Sequence, residues 1–167
     1  YSRVFAPLGM NSTVGDYTDR IIANRTGFYE RTNRRPHYHL RKSSWGDGTG
    51  LGELLNAPYV DNSNKWAGGG LLTTPEDLVR FGSAHLEPGF LTAESLHMTF
   101  SPARLTNGEV LNRGLNWSMG IDDAGRKVVS HGGGGVGSNS SLRVYLDGGV
   151  VVAIQANMSQ SNPGVLS

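Results

Sequence analysis

The residue pattern best suited to acid–base chemistry in this sequence is a histidine followed by four glycines, His131 to Gly135. An imidazole takes up or releases a proton near neutral pH, so His131 can serve as an acid, a base or a binding group. Four adjacent glycines give a β-sheet no side chains to pack, and they indicate that something approaches this backbone closely. Three kinds of site use such a run, and each places a different requirement on the residues that follow.

The first kind is a dinucleotide site, because Gly132, Gly134 and Gly137 fit the pattern G-x-G-x-x-G. That pattern requires a helix directly afterwards, whose N-terminus holds the pyrophosphate, and an acidic residue about 20 positions further on. Here residues 138–146 alternate with period two, as in a strand, and the later position is Asn157. These residues argue against a dinucleotide site.

The second kind is the HGGG loop of lipase-type α/β-hydrolases, which forms part of an oxyanion hole and is followed by a nucleophilic serine in G-x-S-x-G. No serine of this sequence lies in that pattern. Such a fold also requires alternating strands and helices. The sequence instead predicts strands at 127–131, 141–146 and 150–156, the last two joined as a hairpin by the turn Asp147-Gly148-Gly149.

The third kind is a strand at a sheet edge whose backbone lines an active site. A histidine at the strand end and a backbone N–H directed at a developing oxyanion suit acyl transfer. Residues 130–137, SHGGGGVG, resemble the H-T-G version of the K-T-G motif in penicillin-recognising serine enzymes, which lies on the strand bordering their substrate cleft.

A second region carries the same resemblance. Residues 56–63 (NAPYVDNS), 65–70 (KWAGGG) and 74–81 (TPEDLVRF) are similar to serine β-lactamase-like and penicillin-binding proteins of the class C β-lactamase type, and Pro7 to Met10 matches them upstream. The match is weakest over residues 11–53. The resemblance implies an α+β fold, an incomplete serine β-lactamase/transpeptidase-like fold with an antiparallel sheet packed between helices. Residues 1–167 would form one incomplete domain, with an irregular insertion at 11–53 and a closing antiparallel sheet at about 114–157.

The resemblance also implies roles for individual residues. His131 would orient the substrate or assist proton transfer, and Gly134 would supply a backbone N–H of the oxyanion hole. Gly132, Gly133 and Trp66 would contact the substrate. Gly132 departs from the family pattern, which has threonine there, and the lost hydroxyl favours an ester or peptide substrate over one whose carboxylate that hydroxyl would bind. No cofactor and no metal are expected.

Two motifs that begin acyl transfer in this family are absent. None of the three lysines, Lys42, Lys65 and Lys127, lies three residues after a serine, so S-x-x-K is missing, and Tyr59 is one position too far from Asn62 for Y-x-N. We therefore expect the nucleophile and its base upstream of Tyr1, in a longer hydrolase that cleaves an amide or ester bond through an acyl-serine, with this chain inactive alone. The alternative is a binding or assembly module that keeps the fold without the chemistry.

Helices and core positions follow from local patterns. Thr74-Pro75-Glu76-Asp77 has a capping hydroxyl, a proline in the first turn and two acids, and it predicts the start of a helix. Thr92 caps a second predicted helix over 92–98, with Leu96 directed inward. Residues 114–121 are predicted as the first strand of the sheet, with Trp117 in the core, and residues 1–10 as the end of a helix.

Composition excludes several classes. The 167 residues contain no cysteine, which excludes disulfides, thiolate metal sites and a cysteine nucleophile. The net charge is +1 and no apolar run reaches membrane-spanning length. Seven basic residues lie between Arg20 and Lys42, but a nearly neutral chain without a nucleic-acid module favours solvated arginines. His37 and His39 lack nearby carboxylates, so we expect loop histidines there. The expected partner is a small-molecule or peptide substrate. The resemblance fits a mitochondrial protein as well as a bacterial periplasmic or secreted one.

Overall fold

The computed structural model describes residues 1–31, 52–159 and 161–165. Eight β-strands and two α-helices occur in this part of the chain, besides two 3-10 helices (Trp66–Gly68 and Pro163–Val165): β1 (Val14–Gly15), β2 (Tyr29–Arg31), β3 (Leu54–Asn56), β4 (Leu71–Leu72), α1 (Pro75–Ser83), α2 (Ala93–Thr99), β5 (Ser118–Ile121), β6 (Lys127–Gly135), β7 (Ser138–Tyr145) and β8 (Val150–Ala156). Strands β5-β6-β7-β8 form an antiparallel sheet in that order, while β1 pairs with β4 and β2 with β3. Separate helices beside antiparallel strands confirm the predicted α+β class.

The core lies between the four-stranded sheet and α1. Register places Val129 opposite Val144, and Val144 opposite Val151, so these side chains share one face. Val129 and Val144 are buried, together with Leu142 and Trp117. Leu78 and Phe81 of α1 pack onto this group. A β-carbon at Gly82 would lie 2.6 Å from Cγ1 of Val151, which explains why the helix has glycine where it meets the sheet.

Both helices begin where the sequence predicts. The Thr74 hydroxyl accepts a hydrogen bond from the Asp77 N–H at 3.3 Å, and Thr92 accepts one from the Ser95 N–H at 3.1 Å. Leu96 is buried, as expected for the inward face of α2. The predicted core position of Trp117 is also confirmed, since only 6% of its surface is exposed.

The structure corrects several predicted boundaries. β6 does not stop at His131 but continues through Gly135, because β7 pairs with it along its full length. β5 begins at Ser118 and not at residue 114, because Gly114 donates to the carbonyl of Trp117 and Asn116 has a φ of 63°. Residues 2–9 form turns and no helix, and the region predicted as irregular contains the short strands β1 and β2.

A buried carboxylate fastens the N-terminal turns to α1. Asp77 is 1% exposed and accepts hydrogen bonds from the Ser12 N–H at 2.9 Å, the Thr13 hydroxyl at 2.8 Å and Arg80 Nη1 at 2.8 Å. Hydrogen bonds to a charged acceptor are stronger than neutral ones. These bonds hold the turns that contain Pro7 to Met10 beside α1, the helix that packs on the sheet.

The β2–β3 pair packs over the turn between β6 and β7. The backbone of Tyr29 pairs with the segment that follows β8. Its N–H donates to the Asn157 carbonyl at 3.0 Å, and its carbonyl accepts from the Ser159 N–H at 3.1 Å. Beneath it, Gly137 has a φ of 77°, and a β-carbon there would lie 2.7 Å from Cβ of Ala57 and still closer to that of Phe28. Only glycine meets both conditions. No helix in the described part of the chain is long and apolar enough to cross a bilayer.

Replacing Gly137 by alanine should destabilise the protein by about 2–5 kcal/mol. A left-handed backbone costs a residue with a β-carbon ~1–2 kcal/mol, and overpacking against Phe28 and Ala57 adds ~1–3 kcal/mol. Gly149→Ala is the matched control, because Gly149 also turns a hairpin with a φ of 64° but has no atom within 4 Å of its β-carbon position. Urea denaturation measures both variants. Equal losses of stability would contradict the proposed packing of β2 and β3 over the turn.

Candidate active site

The sheet has an open edge along the second half of β6. β5 pairs with β6 only from Lys127 to Ser130, whereas β7 pairs with β6 as far as Gly135. Within the described residues, no strand pairs with the β5 side of residues 131–135. His131 and all four glycines are exposed. An unpaired strand edge offers backbone N–H and C=O groups to another molecule.

The hydrogen-bond alternation of antiparallel strands tells which backbone groups face this edge. The Lys127 carbonyl accepts from the Leu146 N–H at 3.2 Å, so β6 residues with odd numbers are bonded to β7. The Arg126 carbonyl accepts from the Asp122 N–H at 3.0 Å, so even-numbered residues point toward β5. Beyond Ser130, where β5 is missing, the same alternation directs the amides of Gly132 and Gly134 into the open edge.

Side chains of β7 provide a second reason why residues 133–135 are glycine. Gly133 lies opposite Ser140, Gly134 opposite Asn139 and Gly135 opposite Ser138. A β-carbon at Gly133 would lie 2.6 Å from the Ser140 hydroxyl, and one at Gly135 would lie 3.0 Å from that of Ser138. The glycines thus leave room for polar groups of the next strand, a requirement that the sequence pattern did not reveal.

The turn after the glycines is held by side chains that sequence reasoning missed. The Gly137 N–H donates to the Ser159 hydroxyl at 2.6 Å, and Asn139 Nδ2 donates to the carbonyls of Met158 at 3.1 Å and Ser159 at 2.6 Å. The Ser159 hydroxyl in turn lies 3.5 Å from Oε1 of Glu30, which is 8% exposed. The end of β6 is therefore anchored to β2 and to the segment after β8. The sequence carries no local signal for contacts between residues so far apart.

Trp66 occupies a different element from the other predicted site residues. It lies in a 3-10 turn (Trp66–Gly68), is 62% exposed and has a φ of 44°. Its ring meets the edge of Tyr17 at 6.4 Å between centroids. In the part of the chain that the structure describes, no hydrogen bond or ring contact joins Trp66 to β6. The structure brings His131, Gly132, Gly133 and Gly134 together on β6, and the roles of these residues and of Trp66 stay predictions.

A buried aspartate fixes the backbone next to Trp66. Asp16 is 4% exposed and accepts from Arg25 Nε at 3.0 Å and from Asn62 Nδ2 at 3.0 Å, while its own N–H donates to the Gly70 carbonyl at 2.8 Å. At Gly70 a β-carbon would lie 2.6 Å from the Asn62 carbonyl oxygen. The last glycine of 68–70 therefore makes a tight corner.

Two arginines near this corner are paired with aspartates. Arg25 binds Asp16, and Arg20 lies 3.1 Å from Asp19 and over the Tyr17 ring at 4.3 Å. The pKa of Asp19 is lowered, chiefly because Arg20 donates a side-chain hydrogen bond to it. His37, His39 and Lys42 lie outside the described residues. Across 1–31, 52–159 and 161–165, no group of three or more His, Cys, Asp or Glu side chains is placed to hold a metal ion.

The sequence is similar to that of known proteins. The family model described as "Beta-lactamase" matches residues 1–166. "Serine beta-lactamase-like protein LACTB, mitochondrial" of Bos taurus is 32% identical over 194 residues, covering 93% of this chain and 32% of that protein. "Penicillin-binding protein 4*" of Bacillus subtilis (strain 168) is 28% identical over 144 residues, covering 86% of this chain and 31% of that protein.

The fold itself is similar to that of solved structures. The D-stereospecific amidohydrolase from Streptomyces sp. superimposes with a TM-score of 0.69 at 21% identity, covering 95% of this chain and 42% of the other. At this identity the likeness concerns the fold. The chain spans about a third of the length of the curated relatives that it matches.

Ser159→Ala should cost about 1–3 kcal/mol of stability, because it leaves the buried N–H of Gly137 without an acceptor. Amide hydrogen exchange at Gly137 should accelerate with it. Ser161→Ala is the matched control: its hydroxyl donates to the Met158 carbonyl at 2.8 Å, but that carbonyl also accepts from Asn139, so the loss should stay below about 1 kcal/mol. Unchanged exchange at Gly137 in Ser159→Ala would show that the hydroxyl does not hold the turn.

Proposed function

This chain belongs to the β-lactamase family, and on that premise we propose that it forms the oxyanion-hole side of the active site of a serine hydrolase. Membership confirms the family that the sequence resembles. The proposed reaction is hydrolysis of an amide or ester bond through an acyl-serine intermediate.

One observation carries the proposal, the open edge of β6. When a serine hydroxyl adds to a carbonyl carbon, the carbonyl oxygen gains negative charge and needs hydrogen-bond donors that are already in position. The amide of Gly134 faces the open edge and belongs to a strand held at its far end by Ser159 and Asn139. A donor of this kind contributes about 3 kcal/mol of transition-state stabilisation.

The neighbouring residues have separate tasks. Gly132 and Gly133 let the substrate approach the backbone, since neither has a side chain in the way. His131, exposed at the start of the open edge, binds the substrate or passes a proton to the departing group. Trp66, exposed on its own turn, offers an aromatic surface for the substrate.

The nucleophile comes from outside residues 1–167 in this proposal. The chain contains neither S-x-x-K nor a Y-x-N motif at a matching position, and the curated relatives are about three times as long as the part matched here. A serine on a neighbouring segment would supply the second oxyanion donor through its own N–H, and its base would take the hydroxyl proton. Water then releases the acyl group in the second half of the reaction.

Gly132 bears on the substrate class. The family motif has threonine at this position, whose hydroxyl binds a substrate carboxylate. Because glycine offers no hydroxyl, the proposal favours esters or peptides without that carboxylate over β-lactams. The same change also supports the competing proposal, a binding or assembly module that has lost catalysis.

A test uses the intact protein that contains this chain, with p-nitrophenyl butyrate as substrate. We expect turnover that a serine-directed phosphonate abolishes, and no turnover by residues 1–167 alone. His131→Ala should lower kcat/KM about 10²- to 10⁴-fold, as expected for loss of a group that transfers a proton. His97→Ala, a change at an exposed histidine of α2, should leave kcat/KM unchanged.

Two results would count against the enzyme. An intact protein that binds the ester without hydrolysing it would support the binding module instead. Turnover by residues 1–167 alone, blocked by the phosphonate, would refute the external nucleophile.

A further inference from the structure

We propose that Ser140 is a specificity-determining residue whose hydroxyl recognises an amide group in the acyl part of the substrate. The inference rests on the proposed function, because it assigns a substrate class to the same open edge. Ser140 lies on β7, not on β6, and no family motif described above includes it.

Register places Ser140 on the face of the sheet that also bears His131. His131 lies opposite Leu142 and Gly133 opposite Ser140, so the serine is the diagonal cross-strand neighbour of the histidine. Diagonal neighbours of this kind are about 7–8 Å apart, within reach of one small ligand group. Between them lies Gly133, whose missing β-carbon would otherwise stand 2.6 Å from the Ser140 hydroxyl. The hydroxyl therefore overhangs bare backbone.

The Ser140 hydroxyl is free to bind a ligand. It is half-buried, and among residues 1–31, 52–159 and 161–165 it has no hydrogen-bond partner. Two other polar side chains of β7 are engaged: Asn139 donates to the carbonyls of Met158 and Ser159, and Arg143 donates to the Gly164 carbonyl at 2.7 Å. A half-buried hydroxyl without a partner gains most from a ligand that supplies one.

The chemistry of the hydroxyl selects the ligand group. A serine hydroxyl both donates and accepts, which matches an amide with its C=O and N–H. In the proposed binding mode, a substrate whose scissile carbonyl lies at the Gly134 amide extends its acyl part over the bare backbone of Gly133 to Ser140 on β7. The favoured substrates are therefore N-acylamino acid esters or peptides, and simple aliphatic esters lack the group that Ser140 recognises.

Two p-nitrophenyl esters separate this role from catalysis in the intact protein. The N-acetylglycinate carries an amide in its acyl part, and the pentanoate has the same chain length without one. Ser140→Ala should lower kcat/KM for the N-acetylglycinate about 2- to 12-fold, the range expected for one hydrogen bond, and leave the pentanoate unchanged. Ser140→Thr, which keeps the hydroxyl, should retain the preference.

Ser138→Ala is the matched control. Ser138 lies on the same strand and face, opposite Gly135 and further from His131, and should behave as the wild type with both esters. If the wild type is active and Ser140→Ala matches Ser138→Ala, or slows both esters equally, the inference is wrong and the proposed function stands. If the wild type hydrolyses neither ester, the proposed function fails and this inference with it.

Discussion

The early departure of β5 from the sheet is the constraint on which the site depends. β5 pairs with β6 no further than Ser130, because the chain before Ser118 is drawn toward α2. Leu115 donates to the Thr99 carbonyl at 3.0 Å, and a β-carbon at Gly114 would collide with that same oxygen. The side chain of Trp117, next to this bend, is buried in the core. Had β5 continued, its backbone would occupy the hydrogen-bonding groups that Gly132 and Gly134 leave open.

Contacts at both ends of β6 fix the position of that open edge. Val129 and Val144 fix the register of β6 against β7, and a one-residue slip would turn His131 to the other face. At the far end, Gly137 is pinned by Ser159 and covered by β2 and β3. Packing at one end of β6 and hydrogen bonds at the other thus fix the position of its four glycines, which have no side chains to pack.

Sequence patterns predicted the elements that depend on near neighbours. Alternation predicted β7, β-branched residues predicted β8, and the hydroxyls of Thr74 and Thr92 predicted two helix starts. The resemblance carried by the glycines after His131 assigned β6 to the candidate site. Glycine has low strand propensity, so the extension of β6 to Gly135 was visible only once β7 lay beside it. The family match gave roles to residues but no distances between them, which is why Trp66 was grouped with a strand it does not contact in the described structure.

Contacts between distant parts of the chain were beyond prediction for a physical reason. The bend at Gly114 depends on a carbonyl of α2, and the clamp on Gly137 depends on Ser159 and Glu30, residues that no periodicity connects. The proposed role of the Ser140 hydroxyl likewise depends on Gly133, which lies opposite it on β6. These contacts join residues that are far apart in the sequence, so they can be recognised only in the folded structure.

In the proposed reaction, the Gly134 amide stabilises the negative charge that forms on the substrate's carbonyl oxygen when a serine from another segment attacks the carbonyl carbon. A crystal structure of the intact protein inhibited by a p-nitrophenyl phosphonate tests it most directly. The account predicts a phosphonylated serine facing β6, with one phosphonyl oxygen about 2.7–3.1 Å from the nitrogen of Gly134. A phosphonyl oxygen directed away from β6, or another strand paired with Gly132 and Gly134, would contradict it.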